Sequence, residues 1–174
     1  FGVGERLITA KSAPVFGGVY KLAAVEDEQG NIIPKIKISE NTAKITNPHY
    51  KKLYRFYDNE SGKALADELC VYDETIDSTK PHTIFDPDAI WKTKTLTDYT
   101  VKELHVTVFK NGELVYKQPS LFEIKRYCAE QTETLWDEVK RFENPHTYYV
   151  DLSKKLWDIK NALLEKSKDG KDLK

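Results

Sequence analysis

Two alternating apolar runs, Leu104 to Phe109 and Leu114 to Tyr116, meet at Lys110-Asn111-Gly112-Glu113. Asn-Gly accepts the positive φ angles of a type I′ turn, whose twist matches that of two antiparallel strands. A β-hairpin over 104–116 follows, and an all-helical chain is excluded. Similar patterns recur upstream. Val19 to Val25 is β-branched, aromatic and aliphatic, and Ile32 to Ile38 alternates Ile36 and Ile38 with Lys35 and Lys37. With Gly30-Asn31 between them, these two runs are expected to pair. The polar stretch 41–49 ends at Asn47-Pro48 and marks a loop, with a domain junction expected near 41–51. Lys52 to Tyr57 alternates again, Asp58 to Gly62 carries turn chemistry, and Leu65 to Tyr72 is expected to return as a strand. Residues 73–87, broken by Pro81 and Pro87, are expected to be an irregular connection.

The period changes after Pro119. Ser120 and Glu123 form a capping-box pattern that satisfies free amides of a first helical turn. Ile124, Cys128, Leu135, Val139 and Phe142 then recur at helical spacing, so one helix is expected over 120–143 with Cys128 facing inward. A second helix over 152–166 has Asp151 or Ser153 as cap and a stripe of Leu152, Leu156, Ile159 and Leu163. Mainly antiparallel strands and hairpins followed by two C-terminal helices define an α+β chain.

The 27 Lys+Arg and 28 Asp+Glu of the 174 residues are interspersed, and the net charge of −1 gives no electrostatic attraction to nucleic acid or a membrane surface. No apolar run approaches the roughly 18 residues of a membrane span, and the N-terminus has no secretory-signal pattern, so a cytoplasmic protein is expected. Cys70 and Cys128 fit neither a disulfide framework nor a zinc spacing and are expected to be buried thiols. His49, His82, His105 and His146 are scattered singly, so no metal site is expected. No Ser or Cys lies in a nucleophile-elbow sequence. Asp86 and Asp88 flank Pro87 as a solvated turn, while Tyr50, Tyr54, Phe56 and Tyr57 suit core packing or a subunit contact. The absence of methionine and the start at Phe1 suggest a portion of a longer protein.

Phe1-Gly2-Val3-Gly4-Glu5-Arg6 is the most suggestive site. Gly2 and Gly4 permit close approach of a ligand, successive amides form an anion-binding nest, and Arg6 offers a bidentate phosphate partner. The turn lacks the third glycine of a dinucleotide fingerprint and the Gly-Lys-Ser/Thr of a Walker loop. A purely structural turn remains the competing reading.

The run Phe1 to Thr9, Pro14, Phe16-Gly17-Gly18-Val19-Tyr20-Lys21-Leu22, Lys35-Ile36-Lys37-Ile38-Ser39, Lys44, Pro48 and Leu53-Tyr54-Arg55 resembles the nicotinate phosphoribosyltransferases. The later hairpin and helices resemble the C-terminal extension of the longer bacterial members. The resemblance implies a type II phosphoribosyltransferase with an irregular α/β barrel. Residues 1–45 would be the end of the barrel and return strands of an α+β domain, and 46–174 the C-terminal domain with hairpins and two helices.

It also implies an enzyme joining nicotinate to phosphoribosyl pyrophosphate, with ATP and Mg used by the whole enzyme through a phosphohistidine upstream of Phe1. Gly2, Gly4, Glu5 and Arg6 would hold a phosphate, and Lys21 would support the active site. Glu5 would contribute its N–H, because its carboxylate would repel the anion. His49-Tyr50 stands after Pro48 where the family commonly has glycine, and no histidine here matches the phosphohistidine motif. The portion alone is expected to be inactive and to bind no cofactor, and a homodimer is one arrangement the resemblance allows. The alternatives are a non-catalytic oligomerisation module and a phosphate-binding module.

Overall fold

The computed structural model describes residues 18–168. In chain order the elements are β1 Ala24–Glu26, β2 Ile32–Pro34, a 3-10 turn Thr42–Lys44, β3 Lys51–Asp58, β4 Ala64–Val71, β5 His82–Asp86, β6 Ala89–Leu96 and β7 Tyr99–Glu103. They are followed by β8 Phe109–Lys110, β9 Glu113–Leu114, α1 Leu121–Glu133, α2 Asp137–Lys140, β10 Val150–Leu152 and α3 Lys154–Lys168. The architecture is α+β, as the strand-then-helix pattern predicted.

The main sheet has the order β10-β4-β3-β7, antiparallel except for the parallel pair β10 and β4. The β3–β4 hairpin is the one expected from Lys52 to Tyr72. β4 is buried nearly throughout because both faces are covered. On one face the β5–β6 ribbon packs Ile84 and Leu96 against Phe56, Ala66 and Tyr99. On the other, Leu152 and Leu156 pack against Val71, with Leu69, Trp157 and Ile159 around them. Tyr54 and Phe56 are core residues, whereas Tyr50 is exposed and stacks on Tyr72.

The irregular connection expected over 73–87 is instead partly a strand. The side chain of Asp86 accepts from the Asp88 amide, which tightens the Pro87 turn and lets β5 fold back on β6. Threonines and branched residues at 83, 84, 93 and 95 suit such a ribbon. The expected pairing of 19–25 with 32–38 occurs as the shorter β1–β2 hairpin, with Gly30 at φ 83° in its turn.

Asn111 and Gly112 have φ of 51° and 82°, the signs a type I′ turn requires, and they join β8 to β9. Ser120 and Glu123 form the full capping box on α1. The helix expected over 120–143 divides in two. Ala64 N–H donates to Thr134 O and the Lys63 ammonium to Glu133 O, so the β3–β4 hairpin takes carbonyls that a longer helix would need. α1 buries no residue, and Cys128, expected to face inward, is exposed. Phe142, also expected on the apolar face, is fully exposed.

With no buried face to hold it, α1 depends strongly on its cap. Ser120→Ala is expected to cost it about 1 kcal/mol. Amides in its first turn should then exchange with solvent about fivefold faster, and unchanged exchange would show that something other than the cap holds the helix start.

The start of the last helix resolves the choice of cap. Ser153 Oγ accepts from the Leu156 amide at 3.2 Å, while Asp151 lies in β10, a strand absent from the sequence pattern.

Candidate functional site

The expected phosphate-binding residues Gly2, Gly4, Glu5 and Arg6 lie outside the described residues. Lys21 is described and exposed, just ahead of β1. The chemically densest region lies elsewhere, in the middle of β4, where Asp67 and Glu68 stand side by side and are both buried. Alternation along a strand sends their side chains to opposite faces.

Asp67 faces its register partner Arg55 on β3. Arg55 Nε donates to Asp67 Oδ1 at 2.8 Å and Nη2 to Oδ2 at 2.9 Å, a bidentate charge-assisted pair. The Tyr148 hydroxyl donates to Asp67 Oδ1 at 2.9 Å, and its ring lies 5.7 Å from the guanidinium. The hydrogen bonds to Asp67 raise the pKa of Arg55, and burial, followed by the Asp67 charge, raises that of the Tyr148 hydroxyl. The backbone joins in, since Asp67 N–H donates to Tyr149 O at 2.9 Å.

On the opposite face Glu68 Oε2 lies 2.7 Å from His82 Nε2, whose ring stacks on Phe56 at 5.1 Å. Cys70 Sγ is 3.6 Å from the same carboxylate oxygen. Burial, then the charges of Glu68 and Glu74, push the Cys70 thiol above its ordinary range. Glu74 Oε2 accepts from the Val71 amide and from Ser153 Oγ, tying the end of β4 to the start of α3. Asp151, the parallel partner of Glu68, has its pKa pushed up to about 6 by burial, then by the charges of Asp86 and Glu68.

A carboxylate–imidazole pair is a common component of general-base catalysis. The adjacent Cys70 thiol is buried beside two carboxylates, an environment that disfavours the nucleophilic thiolate. Among the described residues no group of three or more His, Cys, Asp or Glu is arranged to hold a metal ion. The pairs fasten β3 to β4, and the β5–β6 ribbon to the sheet. Sequence reasoning missed this layer, although two adjacent carboxylates inside Ala64-Leu65-Ala66-Asp67-Glu68-Leu69-Cys70-Val71 were its available signal.

The described fold is that of an α+β domain whose buried polar groups serve strand pairing and packing. Residues 50–160 match the family model described as the nicotinate phosphoribosyltransferase C-terminal domain. The chain is 38% identical over 160 residues to the nicotinate phosphoribosyltransferase of Bacillus subtilis (strain 168), covering 92% of this chain and 32% of that protein. It is 33% identical over 165 residues to the Caenorhabditis elegans nicotinate phosphoribosyltransferase, covering 94% of this chain and 28% of that protein. The crystal structure of human nicotinic acid phosphoribosyltransferase aligns with a TM-score of 0.61 at 25% identity, over 68% of this chain and 24% of that one. This chain belongs to the nicotinate phosphoribosyltransferase family. It spans about a third or less of the length of these relatives.

Proposed function

We propose that this chain is the C-terminal portion of a cytoplasmic enzyme that forms nicotinate mononucleotide from nicotinate and phosphoribosyl pyrophosphate, with ATP coupling, in NAD salvage. The observation that carries this reading is the C-terminal-domain match over residues 50–160. The 38% identity to the Bacillus subtilis enzyme supports it. In this reading residues 1–45 complete the barrel and return strands, and 46–174 form the C-terminal domain. In this reading the portion does not turn over alone, since none of its histidines matches the phosphohistidine motif. ATP and Mg2+ are used by the whole enzyme, as the resemblance implies.

Gly2 and Gly4 would let the backbone approach a phosphate, Glu5 would present its N–H, and Arg6 would hold two phosphate oxygens. Lys21 would support that site. The intact protein is expected to make nucleotide from nicotinate and phosphoribosyl pyrophosphate, faster with ATP, and nicotinamide serves as the control base. Absence of turnover with either base would overturn the enzyme reading. Arg6→Ala should lower kcat/KM for phosphoribosyl pyrophosphate about tenfold or more, the scale of one lost charge-assisted contact.

An assembly role is favoured by one separate observation, the exposure of Leu121 and Phe122 at 76% and 83% on α1. Contiguous exposed apolar surface is characteristic of interaction sites. A homodimer is the assembly proposed, with neither nucleic acid nor membrane as partner. If Arg6→Ala changes the oligomer mass and leaves phosphoribosyl pyrophosphate affinity intact, the module reading takes precedence over the phosphate site.

A further inference from the structure

Above the sheet face that carries Glu68 and Asp151, a cavity of about 180 Å3 has Ile84, Phe85 and Tyr149 as apolar and aromatic walls and Asp86, Asp151 and Lys94 as charged ones. Three carboxylates of this region, Asp86 and Asp151 in the cavity wall and Glu68 on the same sheet face, are not equivalent. Glu68 is paired with His82 at 2.7 Å. Asp86 has the Lys92 ammonium at 3.7 Å and accepts from the Asp88 amide at 2.9 Å. Asp151 is only 4% exposed, yet it has no side-chain hydrogen bond or ion pair among the described residues. The solvent contact its oxygens keep is through the cavity, and a cation there would relieve the desolvation that burial imposes on the carboxylate.

With a pKa near 6, Asp151 is mostly ionised at neutral pH, and among the described residues neither Lys92, which pairs with Asp86, nor Lys94 forms an ion pair with it. The candidates can be separated by chemistry. A divalent metal would need further ligands, and no such group is present among the described residues. Lys92 and Lys94 are exposed residues lining the same cavity, and their repulsion, twice as strong for a divalent ion, favours a singly charged head group. Phe85 and Tyr149 line the same cavity, and aromatic residues attract a weakly hydrated cation and give apolar surface to a short stem.

We propose that this cavity binds a monovalent organic cation, an ammonium or guanidinium head on a short aliphatic stem, with Asp151 as its counter-ion. Such a head group can come from a free small molecule or from a basic side chain of another protein segment. The inference rests on Asp151 and its cavity and is independent of the proposed enzymatic activity.

The test is calorimetric titration of the intact protein with n-butylguanidinium and n-butylammonium, using n-butanol as the uncharged control. Saturable binding of at least one cation is expected near 1 mM, a scale suited to so small a ligand, with none for the alcohol. Asp151→Asn keeps the shape and removes the charge, and it should weaken binding at least tenfold. Thermal unfolding and the mass in solution check that the variant is folded. If it is not, Tyr149→Ala, at a half-exposed position, should weaken binding several-fold instead.

Affinity should also fall about tenfold from pH 7.5 to pH 5, as Asp151 takes up a proton. The charged or titratable groups facing Asp151 are Asp86, Lys92 and Lys94 on the ribbon, Glu68 and His82 beside it, and Tyr149 on its own segment. N-acetylarginine amide distinguishes the source. Binding as tight as that of n-butylguanidinium fits a protein side chain, and binding of the free cation alone fits a small molecule. Non-saturable heats, or equal affinity in wild type and in folded Asp151→Asn, would overturn the proposal.

Discussion

Phe56→Ala is expected to lower the free energy of unfolding by about 4 kcal/mol, among the largest effects a single core truncation produces. Phe56 is fully buried at the centre of the cluster formed by Ala66, Ile84, Leu96 and Tyr99. The edge of Tyr99 meets it at a ring separation of 5.3 Å, and His82 stacks on it at 5.1 Å. Removing the ring therefore opens a void between the sheet and the β5–β6 ribbon, and it withdraws the surface that orients the imidazole toward Glu68. Both elements are held by hydrogen-bonded strands and cannot collapse into the space without breaking their ladders. Urea unfolding followed by fluorescence measures the loss. A change below about 1 kcal/mol would mean that the ribbon repacks freely, and the two-layer core described above would be wrong.

Asp67→Ala is expected to cost about 3 kcal/mol, because it leaves two buried or half-buried donors without their acceptor. The Arg55 side chain retains 19% exposure, so water relieves part of its charge, and this places the estimate at the low end for a broken buried pair. Tyr148 is likewise half-buried, and burial is the main cause of its raised hydroxyl pKa. Replacing Arg55 by Met in the same variant should recover part of the loss, because the unpaired charge is then absent. Equilibrium denaturation of the two single variants and the double variant gives the coupling directly. Strict additivity of the two substitutions would show that Arg55 and Asp67 do not interact.

Local signals carried a definite part of this structure. Asn111-Gly112 dictates a type I′ turn through backbone sterics, and Ser120 with Glu123 dictates a helix start through hydrogen bonds spanning three residues. The β3–β4 pairing was legible because Lys52 to Tyr57 alternates and Asp58 to Gly62 can only turn. Membership of the family was legible too, from the motifs between Phe1 and Arg55, and the match over 50–160 agrees with it. The candidate phosphate turn at Gly2 to Arg6 remains a proposal for the intact protein.

What tertiary structure decided involves residues far apart in the chain. β10 is three residues long and is a strand because β4 offers it a parallel edge, with Ser153 N–H donating to Leu69 O. The helix expected over 120–143 stops at Thr134 because carbonyls there are claimed by Lys63 and Ala64. Cys128 is exposed although its helix has an apolar stripe, since periodicity shows which residues share a face and not whether anything covers it. Likewise Glu68, His82 and Asp151 are ordinary polar residues in sequence. Stacking β5 over β4 and β10 buries Glu68 and Asp151 and partly buries His82, and only then does Asp151 become a buried carboxylate without a partner among the described residues. Turns and caps are settled by atoms within a few residues of one another, whereas burial and charge pairing depend on which distant strands meet.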